Sequence, residues 1–321
     1  MKFLGIRDLY SLAMMTFIRT VTGLSPPLPK ELIVQGIALA ACHLSRRKRR
    51  PIEKNLSEAF GGTLGKDEIR GIVKGTFHEF WREIFSRWPS GQERACLKKV
   101  EIRGLENLRK AVGSGKGTIL WESNGLGRRA LSKQILHEHG ILIHQVYGEA
   151  HLKGFLSDGR TETWVREHII KKEMERSERP FLAEIIYLPV TDSLFFTRVL
   201  LDRLRENAIL CIPGDGRSGK NLLSLKFLGQ TELFSSGMVS LARISGSPIL
   251  PFFCLHEGNG KISLMIAPPI HIEKEWGREK ALEQGVLQYI TLLESYIRRY
   301  PDQYRKWGDL GRPTNGEHRF Y

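Results

Sequence analysis

The side chains best suited to chemistry gather in two short stretches. Glu122-Ser123-Asn124-Gly125 follows the apolar run Thr118–Trp121 and leads into Arg128 and Arg129. Asp215, Gly216, Arg217 and Ser218 follow a second run, Ile209–Ile212, closed by Pro213 and Gly214. A carboxylate at the end of a buried strand needs a role. Glu122 either takes a proton from a reacting hydroxyl, a role that requires a carboxylate pKa above the ordinary one, or pairs with Arg128 or Arg129 where a helix begins. Backbone N–H groups around Gly214 to Gly216, with Arg217, suit an oxyanion or a phosphate. The same stretch also fits a solvated turn. A literal His-x-x-x-x-Glu spacing, base and orienting acid, occurs at His144 and Glu149. His144 lies inside a strand-like run rather than at a turn, which points to a chance match, although His144 and Glu122 belong to successive strands and could point into one pocket.

These stretches belong to an alternating pattern. Val100–Arg103 reads as a strand, Leu105–Val112 as a helix, Thr118–Trp121 as a buried strand, 127–139 as a helix and Ile141–Tyr147 as the next strand. Helical patterns at 161–178 and 193–206 precede strand 209–212; helix 234–245, strands 249–255 and 262–267 and a helix at 278–299 follow. Strands alternating with helices predict an α/β fold, a mostly parallel central sheet covered by helices on both faces. In such sheets ligands bind at the carboxyl ends of the strands, where both stretches lie. Upstream, Lys66–Trp88 carries apolar residues three and four apart, including Phe77, Trp81 and Phe85, as a core-facing helix does. Lys74, Arg82 and Arg87 beside this stripe also suit a membrane-facing helix.

The first 45 residues are apolar but interrupted. Leu9–Ile18 and Leu32–Ser45 carry no charge, and neither reaches the ~20 residues of a spanning helix. Asp8 and Arg19 are out of place in a signal peptide. Together with Arg46-Arg47-Lys48-Arg49-Arg50 these segments predict helices lying on an anionic membrane surface. The chain divides accordingly into membrane-associating helices (1–50), an α/β domain (51–308) and a tail (309–321). The formal net charge of +14 over 321 residues favours polyanionic partners. No nucleic-acid fold pattern accompanies the basic run, so nucleic acid is not expected. Cys42, Cys96, Cys211 and Cys254 are too scattered for a zinc site and read as free thiols.

Ile212-Pro213-Gly214-Asp215-Gly216-Arg217-Ser218 resembles the F-P-E-G-T-R-S block of glycerolipid acyltransferases, and Ser247-Pro248-Ile249-Leu250-Pro251 their later V-P-I-V-P block. Lys226–Gly229 and Gly237–Ala242 between them, Arg50-Pro51-Ile52, Asn55-Leu56, Ala59-Phe60, Val100–Gly104 and Tyr300-Pro301-Asp302-Gln303-Tyr304 fall in the order of the lipid A late acyltransferases, the lauroyl/myristoyl branch. The resemblance covers roughly residues 40–308. It implies transfer of a fatty acyl group from an acyl-carrier-protein or coenzyme A thioester to a lipid acceptor, lipid A-like or lysophospholipid. No cofactor is implied beyond the thioester co-substrate, and the implied location is peripheral, on the cytoplasmic face of a bacterial inner membrane.

The chain departs from that family where its chemistry should be. Members carry His-x-x-x-x-Glu or Asp after the strand equivalent to 118–121. Here the His position falls on Ser123 or Asn124, and the acid position on Arg128 or Arg129. The arginine after the next strand is also missing, since Gly148 follows Val146-Tyr147, whereas Asp215 matches the later acid. Glu122, Ser123, Asn124 and Asp215 are therefore the expected catalytic residues, and Arg128, Gly214, Gly216 and Arg217 the expected substrate-binding ones. Without the histidine, a non-catalytic relative that binds lipid or acyl carrier is the alternative.

Overall fold

This computed structural model describes residues 6–24, 27–148, 165–188, 193–215, 221–258, 261–273 and 275–311. Five helices come first: α1 (Ile6–Leu24), α2 (Pro27–Leu44), α3 (Arg46–Ala59), α4 (Lys66–Phe85) and α5 (Gly91–Leu97). The α/β part runs β1 (Glu101–Arg103), α6 (Leu105–Gly113), β2 (Thr118–Glu122), α7 (Arg129–Glu138) and β3 (His144–Gly148). It continues with α8 (Lys171–Glu178), β4 (Glu184–Leu188), α9 (Ser193–Arg205) and β5 (Ile209–Pro213). The hairpin β6 (Leu222–Phe227) and β7 (Gln230–Ser235), α10 (Gly237–Ser245), β8 (Ile249–His256), β9 (Ile262–Ile266) and α11 (Arg278–Arg299) complete it.

Among the described residues the central sheet has the order β1-β9-β8-β2-β5-β3-β4. Its pairs are parallel except β8 with β9. Both faces are covered, as the unbroken apolar runs predict. Along β2, Ile119 and Trp121 enter one core cluster with α4, α9, α10 and α11, while Leu120 enters another with α6 and α7. This alternation follows from the two-residue period of a strand.

The α4 stripe faces the core. Val73, Phe77, Trp81, Ile84 and Phe85 are buried and share a cluster with Val34, Ala38 and Cys42 of α2. Arg87, expected to suit a membrane face, is instead buried and paired with Glu178. No described helix is long and apolar enough to cross a membrane. Helices α1 and α2 nevertheless leave Leu9, Tyr10, Phe17, Leu32, Leu39 and Leu44 exposed, and Arg46–Arg50 opens α3. Leu310, within the stretch read from sequence as a tail, is buried.

Strands β4, β6 and β7 add to or replace the expected elements. The expected helix from 234 is β7 up to Ser235, and α10 begins only at Gly237. Strand β4 was not expected, and it pairs with β3 at the sheet edge.

Candidate functional site

Strands β2 and β5 are parallel neighbours with Trp121 opposite Ile212 and Glu122 opposite Pro213. Their carboxyl ends therefore bring loop 123–128 beside Gly214 and Asp215. The ladder continues one step further, with the Gly214 amide donating to the Glu122 carbonyl at 3.0 Å. Only glycine fits at 214, because a Cβ there would lie 1.2 Å from Nε1 of Trp121. That indole cannot retreat. It is buried and stacks on Tyr289 at 4.0 Å with an interplanar angle of 1°, and the Tyr289 hydroxyl donates to the Glu122 carbonyl at 3.2 Å.

Asp215 gathers the loop. Ser123 donates its hydroxyl to Asp215 Oδ2 at 2.7 Å, and the Gly125 amide donates to the same oxygen at 3.1 Å. The Asn124 amide donates to Oδ1. Ser123 Oγ in turn accepts from the amides of Gly125 and Leu126, at 3.1 and 2.9 Å. These charge-assisted bonds wind the backbone around one carboxylate. Lys306 Nζ stands at the rim, 3.3 Å from the Asp215 carbonyl and 3.9 Å from Oδ1. The Asn124 side-chain oxygen is buried without a hydrogen-bond partner among the described residues. Gly216 and Arg217 lie outside the described residues.

Ser123, Asn124 and Asp215 thus come together as expected, whereas the Glu122 side chain turns to the α7 face. Its Oε2 accepts from Arg129 Nη2 at 2.6 Å, with both side chains buried, so the pairing expected at the helix start is made, with Arg129 and through one oxygen. Its Oε1 has no nitrogen or oxygen partner among the described residues. Glu122 borders a cavity of about 10 Å³, close to the space one water needs, lined also by Ser123, Arg128, Ser132 and Cys254. Burial pushes the neighbouring Cys211 thiol well above its usual range, and the Glu122 charge adds to this. Arg128, the expected substrate ligand, is held by Glu79 at 3.1 Å.

A buried ionic layer under α7 extends from this pair. Glu178 bonds Arg87, Lys133 (3.1 Å) and the Tyr147 hydroxyl. Burial alone would raise the Glu178 pKa, but Lys133 and Arg87 outweigh it and hold the carboxyl far below its usual range. Glu83 of α4 caps α7 by accepting from the Ala130 amide at 3.1 Å, supplying an acceptor that the helix lacks in its own sequence. For Glu79 burial again opposes ionisation, and Arg128 and Arg82 bring its pKa down to about 2.

His144 and Glu122 do not meet. His144 opens β3 opposite Leu210, toward the amino ends of the strands, and pairs with Glu184 at 3.0 Å. Glu149 lies outside the described residues.

Sequence reasoning missed the strap after α11. Residues 303–306 cross loop 124–128 in antiparallel fashion. The Gly127 amide donates to the Gln303 carbonyl at 3.2 Å, Leu126 bridges Tyr304, and the Arg305 amide donates to the Gly125 carbonyl at 2.8 Å. The Tyr300–Tyr304 stretch was visible in the sequence, but its place was not. A histidine does stand at this end of the sheet. His256 ends β8, with its backbone bonded in both directions by the Gln303 side chain. Burial, then Arg128 and Arg82, lower its pKa from the ordinary value.

A sequence profile of a family described as bacterial lipid A biosynthesis acyltransferase matches residues 7–307. The phosphatidylinositol mannoside acyltransferase of Mycobacterium tuberculosis (strain CDC 1551 / Oshkosh) is 24% identical over 224 residues, 65% of this chain and 62% of that protein. The protein of the same name from Mycolicibacterium smegmatis is 22% identical over 238 residues, 72% of this chain and 71% of its own length. The match thus spans less than two thirds of the Mycobacterium tuberculosis relative.

Proposed function

We propose, since this chain belongs to the bacterial lipid A biosynthesis acyltransferase family, that it is a lipid acyltransferase. It moves a fatty acyl group from an acyl-carrier-protein or coenzyme A thioester to a hydroxyl or amine of a membrane lipid, lipid A-like, lysophospholipid or glycosylated phosphoinositide. The acceptor atom bonds to the thioester carbonyl carbon, the C–S bond breaks, and the acceptor proton ends on the departing thiol. The observation that carries this reading is the Ser123–Asp215 constellation at the carboxyl ends of adjacent parallel strands, where α/β sheets place their ligands.

On this reading Asp215 and Ser123 shape the loop that receives the reacting groups. Glu122 Oε1, the oxygen that Arg129 leaves unoccupied, takes the proton in place of the family's histidine. Lys306 and Arg217 supply positive charge for a phosphorylated substrate. The exposed apolar residues of α1 and α2 and the basic opening of α3 hold the protein peripherally on an anionic membrane, at the cytoplasmic face of a bacterial inner membrane.

A second reading has its own observation. Every hydrogen-bonding site of the Ser123 hydroxyl is engaged by Asp215 or a backbone amide, and one Glu122 oxygen is tied to a buried arginine. A relative that binds lipid or acyl carrier without turning it over needs no free base. Comparing parent and Asp215→Ala for acyl transfer and for lipid binding separates the two. The enzyme reading expects transfer by the parent and a loss of about 10²-fold or more in the variant. Lipid binding by a parent that transfers nothing supports the binding reading.

A further inference from the structure

The strap from Pro301 to Gly311 is fixed at both ends and loaded in the middle. It begins at the end of α11, with the Trp307 indole donating to the Pro301 carbonyl at 2.6 Å. At its far end Asn55 of α3 donates to the carbonyls of Trp307 and Leu310, at 2.6 and 3.1 Å. The Gly311 amide reaches Glu232 of β7 at 2.6 Å. Between these anchors Arg305 contributes more bonds to loop 123–128 than any other strap residue. Its amide donates to the Gly125 carbonyl, and its guanidinium donates to the carbonyls of Asn124, at 3.2 Å, and Gly127.

These contacts divide the loop by polarity. The carbonyls of Asn124, Gly125 and Gly127 turn to Arg305, while the amides of Asn124, Gly125 and Leu126 turn to Asp215 and Ser123. The guanidinium side chain is 10% exposed, and its ion pair with Glu83 is long, at 3.9 Å. A buried cation held mainly by carbonyls is a poor device for stability alone, because the desolvation penalty lacks a close counter-charge. A planar fork reaching two carbonyls three residues apart is a good device for fixing a backbone.

We propose that Arg305 is the positioning residue of the strand-end loop, the template against which loop 123–128 is held so that its amides converge on Asp215. Its value for catalysis rests on the acyltransferase reading above; its hold on the loop does not.

The test is hydrogen–deuterium exchange on the full-length chain, comparing parent, Arg305→Met and Arg305→Lys, with steady-state acyl transfer measured in parallel. Exchange in peptides covering 123–128 is expected to quicken about 10- to 100-fold in Arg305→Met, with α11 and β8 unchanged, since loops open locally without global unfolding. Arg305→Lys, with one prong instead of two, is expected to fall between. In transfer, kcat is expected to drop about tenfold or more with KM within about twofold, the pattern of lost alignment rather than lost binding. Exchange in 123–128 within about twofold of parent in both variants overturns the proposal, as does an equal rise across the whole sheet. Should Arg305→Met not fold, Arg305→Lys decides by the same criteria. Should the parent transfer nothing, the acyltransferase reading fails while the exchange comparison still decides whether Arg305 holds the loop.

Discussion

Replacing Glu122 by Gln tests the buried pair that the structure puts in place of a free carboxylate. The substitution keeps the side-chain shape and removes one charge. Arg129 is then left buried without its nearest counter-ion, at a site where burial lowers the guanidinium pKa and Glu122, with Tyr147 and Glu178, together raise it above the ordinary value. Breaking a buried pair from one side costs about 3–5 kcal/mol. Gln still offers a carbonyl to Arg129, and Glu178 contributes to the same field, so the lower end applies, about 3 kcal/mol. Adding Arg129→Met to Glu122→Gln removes the buried charge and should recover part of this loss, giving a coupling of about 2 kcal/mol. Urea unfolding followed by circular dichroism measures all four corners of the cycle. A Glu122→Gln protein within about 0.5 kcal/mol of the parent, or single changes that simply add, would refute the assignment. Loss of transfer at undiminished stability would make Glu122 a base with no structural duty.

Three further outcomes follow from the geometry. Gly214→Ala forces a methyl group into the Trp121 indole and should destabilise by about 3 kcal/mol or more, read as a lowered melting temperature with altered near-ultraviolet circular dichroism. Glu79 has a folded pKa of about 2 against an ordinary 4.5. A depressed carboxylate stabilises above its unfolded pKa and loses that contribution as pH falls through the folded one, so about 3 kcal/mol should disappear between about pH 5 and pH 2. Glu79→Gln should flatten that slope in unfolding midpoints taken across the window. Changing Arg46–Arg50 to alanine should weaken flotation with anionic vesicles by about 1 kcal/mol per basic residue near the surface, with added salt reducing the parent's binding toward that of the variant.

The sheet was legible because its strands are unbroken apolar runs. Thr118–Trp121, Ile209–Ile212 and 249–255 fall within β2, β5 and β8, and helix 278–299 matches α11. The β6–β7 hairpin was not. Its turn is made by Leu228 and Gly229 at φ of 51° and 80°, and a leucine in the left-handed region gives no turn signal of the Asn-Gly kind. The convergence of Ser123, Asn124 and Asp215 was readable, since two strand ends in a parallel sheet lead there. The partner of Glu122 was open between Arg128 and Arg129. Which of them turns inward depends on Glu79, a residue 49 positions from Arg128 that claims it. The strap was invisible for the same reason: Arg305 acts on backbone carbonyls some 180 positions away in sequence, and no local pattern records that.

Lipid acyl transfer is measured most directly by mass spectrometry of the acceptor. Purified full-length protein is incubated under single-turnover conditions with acyl-carrier-protein and coenzyme A thioesters and with vesicles holding lipid A-like, lysophospholipid and glycosylated phosphoinositide acceptors. One acceptor class should gain the mass of one acyl group with loss of water, matched by one thiol released, and Asp215→Ala should abolish most of that product. Intact thioester and unchanged acceptors across the panel, from protein that is folded and vesicle-bound, would contradict the account.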